Sequence, residues 1–118
     1  HYRNAVEASF EQYGQSTPPG YFGQAGVSYP TNNSAQARER IGTQKWIALF
    51  YTGLEGWFNW RRTGIPDIDP SVDNVNGDEI PVRFRYPESE QSLNADNYQA
   101  ALDRQGPNSI NTEMWLLE

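Results

Sequence analysis

Residues 41–66 read IGTQKWIALFYTGLEGWFNWRRTGIP and hold three of the four Trp, two of the five Phe and a pair of arginines. At about 100° per residue, Trp46, Phe50, Leu54, Trp57 and Phe58 fall along one side of a helix. Ile47 and Tyr51 widen that stripe, and Leu49 lies off it. A helix apolar over most of its circumference is expected to be buried, so these five residues are the expected structural core. Its ends are signalled. Asn33 is placed as N-cap, with Gln36 at the third helical position to return the bond. Arg61 and Arg62 sit in the last turn, where positive charge suits the carbonyl end. Gly64 is placed to end the helix, and Pro66 forbids its return. Gly53 and Gly56 interrupt the middle, each at a cost of up to about 1 kcal/mol relative to Ala. A kink or break is therefore expected near residues 52–53, with the two pieces packed against something else.

A chain of 118 residues has room for one domain and one modest core. Only 36% of residues are hydrophobic but 14% are aromatic, so large rings supply much of the burial, and rings also suit sugar binding. A net charge of −6 argues against nucleic acid as a partner, since that binding rests on a basic face. It argues equally against an anionic membrane surface. The absence of cysteine removes disulfides, thiolate metal sites and cysteine nucleophiles, and leaves the compartment open. No apolar run approaches the length of a transmembrane helix, and no signal peptide is recognisable. His1, Tyr2 and Arg3 open at once on a helical pattern without an initiator Met. Leu117 and Glu118 are either natural sequence or the start of a purification tag. The expectation is a piece of a larger protein, with any targeting signal on another part of it.

Taken in order, residues 2–13 read as a helix, with Ala5, Val6, Ser9, Phe10 and Tyr13 at three- and four-residue spacing and Gly14 as its stop. Residues 15–32 read as a long irregular loop carrying Tyr21, Phe22 and Tyr29, and a loop of that length in a compact domain is usually functional or disordered. Asn32, Asn33 and Ser34 match a glycosylation sequon, but the cap reading of Asn33 takes precedence. Residues 67–79 form an acidic loop whose Asp spacing invites a calcium reading. From Asp69, however, the sixth position is Asn74 where an EF-hand needs Gly, and the twelfth is Ile80 where it needs Glu. A solvated turn around Asn76 and Gly77 is the expectation there. Residues 80–86 alternate Val82, Phe84 and Tyr86 with Arg83 and Arg85, the period of an extended segment with one buried face. Pro81 and Pro87 bracket it and disfavour a central strand. Residues 94–102 read as a short helix capped by Asn94, with Tyr98, Ala101 and Leu102 inward. Trp115 is expected to dock on the core.

Several chemistries are excluded. The single histidine is His1 at the chain start, so a Ser–His–Asp triad and His/Cys zinc sites have no imidazole to build on. No Gly-rich phosphate loop is present. Glu55, Glu88 and Glu90 are candidates for the paired carboxylates of a glycoside hydrolase. Glu55 sits among aromatics in sequence, where desolvation would favour a catalytic acid, although a helix Glu near Arg61 and Arg62 is more often an ion pair. Arg61 and Arg62 themselves offer a bidentate grip on a carboxylate or sulfate, or a helix end paired with neighbouring acids; the structural reading is preferred. Trp57 and Trp60 offer a sugar platform or core packing, with the same preference. Loop aromatics are the better ligand candidates, because loops carry function on a rigid scaffold. Tyr21, Phe22 and Tyr29 are therefore the candidate ligand-binding residues. No residue set points to a cofactor.

Three blocks together resemble the C-terminal end of the SusD/RagB family of nutrient-binding outer-membrane lipoproteins. They are QKWIALFYTGLEGWFNWRRTGIP at 44–66, IPVRFRYPESEQSLNADNYQAA at 80–101 and TEMW at 112–115. The ASFEQYG of residues 8–14 is similar to the segment that precedes them. Two features depart from the family: Gly56 stands where members often carry Ala, and members are several times longer. The resemblance implies a mainly α fold, helices joined by long irregular loops, as the C-terminal part of a tetratricopeptide-like α-α superhelix protein, with residues 1–118 forming a single fragment of a SusD-like domain. It implies binding of an oligosaccharide or other nutrient at the cell surface and its delivery to a TonB-dependent, SusC-like outer-membrane transporter. It further implies a lipid anchor on a preceding part of the parent chain, and no enzymatic activity. The alternatives are a glycoside hydrolase fragment using Glu55 and a pure protein–protein scaffold. Ala5, Val6, Phe10 and Tyr13 can cover one side of the aromatic helix and the Phe84 and Tyr98 segments another, which leaves the rest of its apolar circumference without a partner. An exposed apolar patch, closed by another chain or by the remainder of the parent, is expected.

Overall fold

The computed structural model describes residues 1–114, and every regular element among them is helical. Trp115 and residues 117–118 lie outside the described residues. The helices are α1 (Tyr2–Gln12), α2 (Ser34–Ala48), α3 (Glu55–Thr63), α4 (Glu88–Leu93) and α5 (Ala95–Gln105), with a single 3-10 turn at Tyr21–Gly23. The chain divides into two compact units, His1–Asp67 and a second that begins at Ile68. No helix among the described residues is long and apolar enough to cross a membrane.

In the first unit, α1 packs on α2 and α2 on α3. Helix α1 ends where Gly14 takes a left-handed φ of 67°. The Gln15 N–H donates to the Phe10 carbonyl and the Gly14 N–H to that of Glu11, a paired closure that satisfies the last turn. Helix α2 begins where its sequence signal lies: the Gln36 N–H donates to Asn33 Oδ1 at 3.0 Å. The break expected near residues 52–53 is a full interruption over residues 49–54. Thr52 Oγ1 donates back to the Leu49 carbonyl at 2.7 Å, and Gly53 turns the chain at φ 61°. Helix α3 then ends at Gly64, left-handed at φ 63°, whose N–H donates to the Trp60 carbonyl at 2.7 Å. Gly42 lets α2 meet the Ile65 side chain beyond α3; a β-carbon there would overlap it. The Ile65–Pro66 peptide is cis.

The expected core needs correction. Trp46 and Trp57 are half-buried, but Phe50 is 70% exposed, Leu54 51% and Phe58 40%. The apolar stripe assumed one phase from residue 46 to 58, and the break resets it. Phe50 and Leu54 fall on the turn, so they share no helix face with Trp57 and Phe58. Among the described residues the buried apolar side chains are Val6 on α1 and Val27 in the loop. Arg61 lies over the Trp57 ring at 4.3 Å and over that of Phe58 at 5.4 Å, while Arg62 donates to Asn59 Oδ1 at 3.2 Å. Trp60 Nε1 donates to the Pro66 carbonyl at 3.1 Å. Both arginines thus serve local structure in α3.

In the second unit α4 packs on α5. Residues 80–86 are neither a strand nor inward on the expected side: Arg83 is buried at 5% exposure and Phe84 is 68% exposed. The cause is pinning rather than a ladder. The N–H groups of Val82 and Arg83 both donate to the Ile110 carbonyl, at 2.8 and 3.2 Å, which breaks the period of two. Arg83 then turns its guanidinium over the Tyr86 ring at 5.3 Å and donates from Nε to the Phe84 carbonyl. Asn side chains stitch the loop down: Asn76 Nδ2 donates to Asn111 Oδ1 at 2.6 Å, and the Tyr86 N–H to Asn108 Oδ1 at 2.9 Å. Gly77 and Asp78 form the expected turn at φ 67° and 60°. Residues 88–93, a polar stretch in sequence, form α4. Asn94 precedes α5 as expected, but its Oδ1 accepts from the Asn97 side chain at 2.6 Å instead of from a backbone N–H.

Candidate functional site

A cavity of the first unit lies among α1, the loop after it and α2, with a volume of about 1280 Å³. Helical spacing builds two of its walls. Tyr2, Val6 and Phe10 recur every four residues on α1, and Ile41, Gln44, Lys45 and Ala48 share one face of α2. The loop supplies the third wall, with Tyr21, Phe22 and Tyr29 all lining the same cleft.

Two phenols hold that loop to the helices. Tyr2 OH donates to the Val27 carbonyl at 2.7 Å, seating the buried Val27 beside α1. Tyr21 OH donates to Gln44 Oε1 at 2.9 Å, tying the 3-10 turn to α2. The Tyr21 ring meets Phe10 edge-on at 5.2 Å and Phe22 at 5.7 Å. The Tyr29 ring lies against Tyr2 at 5.1 Å with 34° between planes, and the Arg3 guanidinium lies over Phe22 at 4.6 Å. Burial pushes the Tyr2 phenol above its ordinary pKa, neighbouring Tyr21 adds to the rise, and Arg40 opposes it.

The three loop aromatics differ in what they leave free. Tyr21 and Phe22 are half-buried and committed to neighbours, whereas Tyr29 is 46% exposed at the rim. Tyr2, Gln44 and Lys45 line the cleft and were not singled out from the sequence. In sequence Tyr2 is only the first residue of a helix, and the aromatic stripe through Trp46 lies off the face of α2 that lines the cleft. A second depression of about 700 Å³ shares Tyr29 and Ile41 and reaches Arg38. Glu55, read as a candidate catalytic acid, lacks the aromatic enclosure that reading assumed. Glu55 is exposed in the first turn of α3 rather than enclosed by aromatics, and Glu88 and Glu90 belong to the second unit, where Glu90 accepts from Asn94 Nδ2 at 3.0 Å. Among the described residues no group of three His, Cys, Asp or Glu side chains is placed to hold a metal ion.

A family profile described as "Starch-binding associating with outer membrane" (SusD-like) matches residues 1–87. The chain belongs to the SusD-like family, as its three sequence blocks and its helical fold indicate. Solved structures agree. A SusD-like protein described as Bacteroidetes AC2a is 29% identical with a TM-score of 0.86, covering 99% of this chain and 25% of that one. A chitin-binding protein is 31% identical with a TM-score of 0.75, covering 99% of this chain and 27% of that one. A SusD homolog from Bacteroides uniformis is 27% identical with a TM-score of 0.82, covering 99% and 31%. The chain therefore spans between about a quarter and a third of the length of these structures. Comparison with curated proteins finds no match.

Proposed function

We propose that this chain is one fragment of a SusD-like domain in a longer cell-surface protein. That protein binds an oligosaccharide and passes it to a TonB-dependent, SusC-like transporter, and the aromatic cleft of the first unit contacts the sugar. The observation that carries the reading is the convergence of Tyr21, Phe22 and Tyr29, from a loop of irregular sequence, on one cleft already floored by Tyr2 and Phe10. Aromatic faces stack on the apolar faces of pyranose rings, and a few polar groups fix their orientation. Gln44 supplies such a group: its Oε1 is occupied by Tyr21, which leaves its Nε2 donors to a ligand. The family description and the chitin-binding neighbour support a carbohydrate as the ligand. Binding and release without bond cleavage fits a cleft whose described lining residues include no carboxylate. The lipid anchor lies on another part of the parent chain, whose further helices cover the exposed Phe50, Leu54 and Phe58.

Calorimetric titration with a panel of oligosaccharides tests the reading. Affinity without turnover is expected. Tyr29→Ala should weaken binding by roughly five- to a hundredfold, the worth of one stacked ring, with little change in melting temperature because Tyr29 stands at the rim. Binding that survives Tyr29→Ala and Phe22→Ala together would remove the cleft from the account, and product release from the oligosaccharide would favour a hydrolase.

A further inference from the structure

We infer that the cleft takes an acidic oligosaccharide, one whose pyranose rings carry carboxylates, with Arg3, Lys45 and Arg38 as its counter-charges. This rests on the glycan-binding reading above and narrows it. Fifteen acidic residues outnumber nine basic ones in the chain, yet among the described residues no Asp or Glu lines the cleft or the depression beside it. The skew is not a property of the whole unit. His1–Asp67 holds six Lys or Arg and five Asp or Glu. Three of those six line the two depressions and none of the five does. Glu7 and Glu11 lie on α1 itself, one turn apart, and line neither depression.

The three cations are also without a carboxylate partner among the described residues. Among the described residues the ion pair of this unit is Arg40 with Glu39 at 2.9 Å, and Arg3, Lys45 and Arg38 enter none. All three are exposed. Solvated surface cations are ordinary one at a time, but two on the aromatic cleft and a third on the depression beside it, with no carboxylate among the described lining residues, make a local positive field. Arg3 also meets a ring of the cleft. Its guanidinium carbon lies 4.6 Å from the Phe22 ring centre, which places at the cleft a group able to meet a carboxylate with two parallel hydrogen bonds. A neutral glycan would use the rings and leave all three charges unanswered. A uronate chain uses both, stacking its ring faces on Tyr29 and Phe22 while its carboxylates meet the cations. Tyr29 and Ile41 line both depressions, which places the two side by side.

The test titrates the whole protein with tetragalacturonate, with a neutral tetrasaccharide of chitin or starch type, and with a sulfated neutral tetrasaccharide. The uronate is expected to bind at least tenfold tighter than the neutral sugar at low salt, with the advantage shrinking as ionic strength rises. Arg3→Gln and Lys45→Gln should each weaken uronate binding by roughly tenfold, and Arg3→Lys should recover part of that loss. Melting temperatures identify any variant that is misfolded, and Arg38→Gln, on the neighbouring depression, gives an independent reading. Equal affinity for uronate and neutral sugar would overturn this inference and leave the glycan site standing. No affinity for any of the three would overturn both. Tighter binding of the sulfated sugar than of the uronate would overturn the assignment to carboxylates.

Discussion

Gly42 has no room for a β-carbon, and Gly56 has room to spare. In the first case the Ile65 side chain occupies the space; in the second the nearest neighbour is Leu49 at 3.9 Å, an ordinary contact. Gly42→Ala should therefore destabilise by about 1–3 kcal/mol through overpacking. Gly56→Ala should stabilise by about 0.5–1 kcal/mol, since it only restricts the unfolded chain and favours helix. Chemical denaturation of both variants checks the pair, and loss of stability in Gly56→Ala would show that α3 is placed wrongly. Tyr2 gives a pH signature. Its phenol is raised by burial, so the folded state holds the proton to higher pH than the unfolded chain does. Its contribution is then complete below the ordinary tyrosine value of about 10 and falls away as pH rises through the folded value. Tyr2→Phe loses the bond to Val27 and should melt lower at neutral pH. The gap between it and the parent should narrow above pH of about 10; a gap constant with pH would contradict the raised phenol.

At the scale of elements, capping chemistry was the most legible part of the sequence. Asn33, Gly14, Gly64 and the Gly53 break lie at the ends of helices because each satisfies backbone groups that the helix cannot, a local requirement that needs no tertiary information. Asn33→Ala should accordingly cost about 1 kcal/mol, and Asn33→Asp should keep most of the cap; equal losses in urea denaturation would mean that the hydrogen bond to Gln36 contributes nothing. What failed to be legible was long-range. The stripe from Trp46 to Phe58 holds only if one helix spans the break. The inward face of residues 80–86 was set by the Ile110 carbonyl, almost thirty residues away. Helix α4 has a polar sequence and no apolar period to announce it. The loop aromatics were found on composition alone, and what sequence could not convey was that Tyr2 and Gln44 would fasten Tyr21 and Val27 and so give the loop a fixed wall of the cleft.

At the scale of the molecule, apolar rings are distributed unlike those of a self-sufficient domain. Phe50 and Tyr51 stand 70% and 77% exposed on the turn between α2 and α3, with the Tyr13 ring tilted against Tyr51 at 5.8 Å. Contiguous exposed apolar surface of this kind marks an interaction face. Light scattering on the isolated chain should show self-association that Phe50→Ser with Tyr51→Ser reduces, whereas a monomer at high concentration that binds no hydrophobic dye would mean the face needs no cover. The opposite is expected of the cleft, which is lined by rings and cations but held open by hydrogen bonds at both walls. Its occupancy by sugar is the central claim, and the most direct measurement is a crystal structure of the protein soaked with a bound oligosaccharide. The account predicts pyranose rings against Tyr29 and Phe22 between α1 and α2. An oligosaccharide seated on another surface, with that cleft filled by the protein's own chain, would contradict it.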